Sequence, residues 1–325
     1  MPYKFNANYQ DKFEKKRYRV VNWPEYNESL RQRGDITVWL SDDVADAWIT
    51  QKRTSPGGQG VYSELAIMTC LTLGGIYNQA LRQTVGLMRG LLRLMKLDVP
   101  VPCFSTLSRR SSGLKLPVKF KFLKDVPIHL VVDSTGLKIF GEGEWLHKKH
   151  KVKAKRKSWR KLHLGLDLTT GDIVCSDLTK EDIGDPTALA DLLDQIDQPV
   201  CKFLADGAYD GAPTSDLLIK RFGKNIQIVI PLPKTAILSP FFETAPSIRD
   251  QHILEINDKG RIGWQNRSGY NQRSRVETQM GRWKAVIGSK LKARNFLNQK
   301  TEVRIGTYIL NKMTELGRPM FKVIA

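Results

Sequence analysis

Two short apolar runs, each closing on an aspartate, constrain the fold of this chain most. "IHLVVD" ends at Asp133 and "VCKFLAD" at Asp206. Apolar runs of this length, rich in β-formers, read as buried strands. "WRKLHLGLDL" and "DIVCSDLT" flank the turn "TTGD" and predict a hairpin. "DPTALADLLDQI" predicts a helix with Asp185 as N-cap and Pro186 at its first position. "PTSDLLIKRF" predicts a second helix and "IQIVIPL" a further buried strand, and the final helices begin near Gly269 and run past residue 310. Strands first, then strands alternating with helices, then helices, describe an α/β domain on a mixed sheet. Residues 233–268 show no clear pattern beyond a small hairpin insertion at "HILEINDKGRIGW".

Before residue 117 the pattern is helical. "SDDVADAWI" offers a helix start, with Ser41 as N-cap and Asp42 and Asp43 in the first turn. After a loop at "SPGGQG", helical patterns cover residues 62–76 and 78–97. In the second, Leu81, Val85, Met88, Leu92 and Met95 form a core stripe. Arg82, Arg89, Arg93 and Lys96 lie on an adjacent stripe that reads equally as a solvated face. "VPVP" stops this helix, and "FSTLSRR" begins another with Ser105 or Thr106 as cap. Residues 78–112 are compatible with a helix-turn-helix DNA reader in which Arg109 and Arg110 reach base edges. Many small helical bundles would read the same way. The expected organisation is a helical DNA-binding region over 1–117 and an α/β domain over 118–325.

Charge points to the class of partner. Fifty-two basic against 33 acidic residues leave a net charge of +19, which favours a polyanion, nucleic acid before a membrane surface. The longest apolar stretch, "LAIMTCLTLGGI", is too short to span a bilayer, and "MPYKFNANYQDKFEKK" lacks the apolar core of a signal peptide. Cys70, Cys103, Cys175 and Cys201 show no zinc-site spacing and read as reduced thiols of a cytoplasmic protein.

The chemistry gathers around acids. Strand-ending aspartates are often only turn-formers. Two on neighbouring strand ends would repel unless a divalent cation lay between them. A third carboxylate appears in "YNQRSRVETQMGRWK", read as one helix. At about 100° per residue, Tyr270, Arg273, Glu277 and Lys284 share an arc of roughly 60°, while Arg275 projects elsewhere. Arg273 and Glu277 could be an ordinary surface pair worth a few tenths of a kcal/mol. Glu277 could equally complete a hard-oxygen site for Mg²⁺ with Asp133 and Asp206.

"VVDSTGLK", "LADGAYD" and the spacing Tyr270-x2-Arg273-x3-Glu277-x6-Lys284 resemble bacterial insertion-sequence transposases of the DDE class. "NWPEYNESLRQRGDITVWL" and "FSTLSRR" are similar to the branch called insertion-sequence family five, and the resemblance runs from about Asn22 to Asn311. It implies a ribonuclease-H-like catalytic domain with Asp133, Asp206 and Glu277 as catalytic metal ligands for Mg²⁺, or Mn²⁺ in its place. It implies phosphoryl transfer by two metal ions, one activating a water or a DNA 3′-hydroxyl and the other stabilising the leaving oxygen. Tyr270, Arg273 and Lys284 would then place the DNA strand. The implied partners are double-stranded DNA, both terminal inverted repeats and target, and further copies of the chain in the DNA complex; no membrane is implied.

Residues 148–161, "KKHKVKAKRKSWRK", hold nine Lys or Arg and no acid. They read as a solvated loop or as a backbone-binding flap in which Lys153, Lys155, Arg156 and Lys157 neutralise phosphates. Trp159 and His163 read as core residues, and Asp167, Asp177, Asp182 and Asp210 as spare carboxylates. Three other readings stand beside the transposase. Two are a silent transposase-derived regulator and a metal nuclease without strand transfer; the third, a recombinase with Tyr209 or Tyr270 as nucleophile, is set apart because the implied chemistry requires no protein nucleophile.

Overall fold

A computed structural model of the chain describes residues 17–40, 44–51, 54, 56–57, 59–114, 126–139 and 159–324. Two compact units emerge: one joins the residues up to Leu40 with those from Lys312, the other covers Ser41–Asn311. This differs from a division near residue 117. The chain's two ends pair with each other as β1 (Arg17–Val20) and β8 (Phe321–Ile324), antiparallel. Between them lie α1 (Trp23–Gln32), entered through a proline, and a 3-10 turn over Ile36–Trp39 capped by the Asp35 carboxylate.

The larger unit begins with α2 (Glu64–Ile76), α3 (Leu81–Leu94) and α4 (Phe104–Arg110). Ser63 caps α2. Val85, Met88 and Leu92 are buried as the stripe predicts, but Met95 is exposed because α3 has ended. The helix expected at "SDDVADAWI" is not formed by its described part: Val44–Ala47 make a turn, and Ile49 bridges to Tyr62. Tertiary demand wins there, since Trp48 is fully buried and its indole donates to the Pro100 carbonyl at 2.7 Å. The first residue of α4 is Phe104, so Ser105 and Thr106 lie inside it. These helices belong with the sheet because Asn298 and Thr301 donate to the carbonyls of Ser108 and Ser111 at α4's end.

The sheet comprises β2 (Ile128–Ile139), β3 (Trp159–Asp167), β4 (Ile173–Lys180), β5 (Val200–Leu204) and β6 (Gln227–Val229), in the order β4-β3-β2-β5-β6. The short β7 (Lys290–Leu291) lies along the end of β2. β3 runs antiparallel to both of its neighbours, β2 and β4, whereas β5 and β6 run parallel to β2. The parallel steps require crossovers. These are α5 (Asp185–Leu193) and α6 (Ala212–Phe222), which bury Leu189, Leu192 and Leu218 against Leu130, Phe203 and Ile228. The mixed sheet fits the ribonuclease-H-like arrangement that the resemblance implies.

Three elements then follow: α7 (Ile248–Ser268), α8 (Ser274–Val286) and α9 (Phe296–Leu316). The hairpin expected within 233–268 is therefore a helix. Ser247 and Asp250 form a reciprocal capping box, and Gly260, at φ 69°, absorbs a kink. The helix is fastened through Trp264, whose indole donates to His252 Nδ1, while His252 Nε2 donates to the Ile228 carbonyl of β6. Asp185 is the first residue of α5 and Gly184 its N-cap, one position earlier than expected.

α9 approaches α8 closely at Gly306, where an added Cβ would run into the Trp283 ring. Gly306→Ala should therefore destabilise the protein. Overpacking of about 1–3 kcal/mol outweighs less than about 1 kcal/mol of gained helix propensity. A lowered urea midpoint is the expected reading.

Candidate active site

β2 and β5 pair in parallel, with Leu130 against Phe203 and Val131 against Leu204. Two residues further along each chain, Asp133 and Asp206 stand level, on backbones about 4.8 Å apart where the strands pair. Asp133 does not end its strand as the sequence suggests: β3 keeps pairing with β2 as far as Lys138, so β2 continues. β5 does stop, and Asp206 caps the 3-10 turn over Gly207–Tyr209 by accepting from the Ala208 N–H at 3.0 Å. Asp133 is mostly buried and accepts from the Ser134 N–H at 2.8 Å. Burial raises the pKa of Asp206, and negative Asp133 and Asp185 add to the rise, against the Ala208 N–H and Arg273.

"YNQRSRVETQMGRWK" is not one helix. Gly269, in the left-handed region at φ 74°, ends α7; Tyr270–Arg273 form a 3-10 turn, and α8 starts at Ser274. Val276, Met280 and Trp283 bury one side of α8. Glu277 stays more than half exposed and receives Arg273 Nη2 on Oε1 at 2.7 Å. The same guanidinium donates through Nη1 to Asp133 Oδ2 at 2.5 Å. Arg273 and Glu277 thus form the helical pair that the sequence allows, but the arginine also reaches Asp133 and ties Glu277 to the aspartate strand. Burial opposes the charge on Arg273; Asp133, then Tyr270, outweigh it and raise its pKa.

Lys284, near the far end of α8, donates to Thr135 Oγ1 at 2.7 Å, two residues beyond Asp133 on β2. Tyr270 packs on Trp264 with ring centroids 5.4 Å apart. Burial raises the Tyr270 pKa while Arg273 opposes the rise. Arg275 turns away and donates to the Leu168 carbonyl.

The sequence reading missed the cluster beside Asp133. Ser134 Oγ donates to Asp185 Oδ2 at 3.0 Å, and Lys161 Nζ donates to Asp185 Oδ1 at 3.2 Å and to the Ile183 carbonyl at 2.8 Å. Asp185 was legible only as a helix-start residue, because its partners lie on strands distant in sequence. His163 is fully buried against Thr179 Oγ1, and burial lowers its pKa, so it stays neutral. Tyr209 is fully buried, and burial, then Asp185 and Asp206, push its hydroxyl pKa far up; it is no nucleophile in this fold. Three of the four spare carboxylates have structural work. Asp167 closes the Thr169–Thr170 turn, Asp177 pairs with Lys300, and Asp210 pairs with Arg249.

Of the DNA-contact candidates, Arg110 donates to the Tyr62 carbonyl at 3.1 Å, which occupies part of its guanidinium, while Arg109 is exposed. Lys153, Lys155, Arg156 and Lys157 lie outside the described residues. Trp159 is only half-buried, with Lys138 Nζ 5.2 Å from its ring centre.

Among the described residues no group of three or more His, Cys, Asp or Glu side chains is gathered as a metal cage. Arg273 stands between Asp133 and Glu277 instead. The donor chemistry nonetheless suits a divalent cation: three hard carboxylates, two of them level on adjacent strands and so mutually repulsive. A family model described as a transposase DDE domain matches residues 124–311, more than half of the chain. The chain belongs to the DDE transposase family. A second model with the same description matches residues 31–142. The family acts on DNA and generally uses divalent metals. No helix among the described residues is long and apolar enough to cross a membrane.

The two aspartates should respond oppositely to neutralisation in chelator. Asp133→Asn removes the acceptor of a mostly buried ion pair and should lower the thermal midpoint at neutral pH. Asp206→Asn keeps the cap but removes a charge that burial and Asp133 disfavour. Because the folded pKa of Asp206 is raised, its ionisation costs stability as pH rises through that pKa. The Asn variant should therefore match wild type in acid, where Asp206 is protonated, and exceed it above the raised pKa. Thermal melts across pH check both signs.

Proposed function

We propose that the chain binds the terminal inverted repeats of its own insertion sequence, cleaves the DNA there, and joins the 3′-hydroxyl ends to target DNA. The observation that carries this reading is the Asp133–Arg273–Glu277 bridge. It ties the glutamate of one helix to a strand whose next neighbour carries Asp206 at the same level. Asp133, Asp206 and Glu277 would hold Mg²⁺, or Mn²⁺ in its place. When bound, the cation supplies positive charge where negative charge develops on the phosphate and lowers the pKa of the attacking hydroxyl.

The remaining tasks fall to the chain's own groups. Arg273 is the nearest cation to the acids, and an entering phosphate offers it the same bidentate partner that the carboxylates do. As it turns to phosphate, Asp133 and Glu277 are freed as oxygen donors. Lys284 contributes a second, movable charge at Thr135, and Tyr270, backed by Trp264, flanks the strand path. The Asp185–Lys161 pair holds Ser134, and Ser134 in turn orients Asp133 through its N–H. No side-chain nucleophile is required. Sequence preference would reside in the α2–α4 region, and several copies of the chain would act together on paired ends.

Glu277→Gln tests the assignment. The variant should fold and bind terminal DNA as wild type does, yet lose cleavage and strand transfer together in a gel assay with pre-cleaved ends and target plasmid. Combining it with Asp133→Asn should add little, because groups acting as one unit are not additive. Arg273→Ala should keep weak cation-dependent cleavage at low salt, since it removes a phosphate contact and not a ligand. Near-normal strand transfer by folded Glu277→Gln would end the assignment. Cleavage without joining by the wild type would make the chain a nuclease.

A further inference from the structure

The ribbon made by the two ends of the chain has sides of opposite character. In an antiparallel pair, residues directly opposite share a face. The register sets Arg17 against Ile324, Tyr18 against Val323, Arg19 against Lys322 and Val20 against Phe321. One face therefore carries Arg17, Arg19 and Lys322 with Ile324; the other carries Tyr18, Val20, Phe321 and Val323. All but the partly buried Val20 are exposed.

The basic face is unfavourable as it stands. Arg19 directly opposes Lys322, a like-charge pairing that destabilises a ribbon, and Arg17 lies about 7 Å along the same face. Among the described residues no carboxylate forms an ion pair with any of the three. A two-stranded ribbon is marginal on its own, and three cations on one side that no described carboxylate neutralises suit an anion from outside.

We infer that the β1–β8 ribbon is a DNA-binding surface separate from the carboxylate site, gripping the duplex backbone with Arg17, Arg19 and Lys322. The inference rests on reading the chain as a protein that acts on DNA. A duplex presents one phosphate per about 1.7 Å of axis, dense enough for each cation to meet one, and its major groove admits a two-stranded ribbon. An anionic lipid surface offers similar charge. A ribbon lying on a bilayer, however, would present its aromatic groups to the membrane together with its cations. Here Tyr18 and Phe321 point away from the cations, which favours DNA.

The test uses the full chain with Arg17, Arg19 and Lys322 all changed to Gln. Binding to a labelled random-sequence duplex is followed by fluorescence anisotropy between about 50 and 200 mM salt. The slope of log affinity against log salt should become shallower by about 2–3, with affinity tens-fold weaker at the low-salt end. The thermal midpoint should hold or rise slightly, since repulsion is relieved; a purely structural role would lower it. Should the triple variant misfold, Arg19→Gln alone should reduce the slope by about 0.9. An unchanged slope overturns the inference. So does loss of co-sedimentation with phosphatidylserine vesicles while DNA binding is unaltered, which would give the face to lipid. The comparison reads DNA binding alone and requires no cleavage. Failure of the cleavage assay therefore removes the proposed chemistry without touching this comparison.

Discussion

Two carboxylates held level on neighbouring parallel strands repel each other, and much of the surrounding structure answers that repulsion. Asp133 and Asp206 are brought together by the β2–β5 register, which is itself fixed by the apolar residues those strands bury. Partial burial makes the opposition stronger than in water; burial itself is the main cause of the raised pKa of Asp206, and Asp133 adds to it. One guanidinium, from Arg273, supplies the compensating charge. Its planar fork can hold Asp133 with one nitrogen and Glu277 with the other, where a lysine would offer a point charge.

Placing Arg273 depends on structure well away from the acids. Gly269 adopts a left-handed conformation, ending α7 and letting the chain turn through Tyr270–Arg273 before α8 begins. α8 is anchored by Trp283, which lies where α9 has only a glycine, and α9 is fixed to β4 by the paired hydrogen bonds of Asn311 with Ile173. Packing and backbone hydrogen bonds therefore set how far Glu277 stands from β2. The charged groups themselves contribute little that water and salt would not screen, given how exposed Glu277 is.

The central strands were legible in the sequence because apolar runs of that length have few alternatives, and the aspartates that close those runs were visible for the same reason. The helices α2 and α3 followed from helical patterning, α3 above all from its apolar stripe. The errors share a physical cause. "HILEINDKGRIGW" alternates well enough to suggest a hairpin, but a capping box upstream and the burial of Trp264 make it helical. "SDDVADAWI" has the composition of a helix start, yet the turn that buries Trp48 takes precedence. Asp185 looked like a cap because a sequence shows its neighbours in the chain and not Ser134 and Lys161, its neighbours in space.

By itself, then, the sequence determined the α/β class, and it displayed the three candidate acids and the basic residues spaced around the third. Those properties are local: strand length, helical period, residue chemistry and motif spacing. Only the tertiary structure decided that Asp133 lies within a strand, that Arg273 bridges Asp133 and Glu277, and that the chain's two ends meet in an amphipathic ribbon. Each of these depends on residues distant in sequence being brought to the same place, and for the last two they lie more than a hundred positions apart. What brings them there is the packing of whole elements, a sum over many weak contacts that no short stretch of sequence contains.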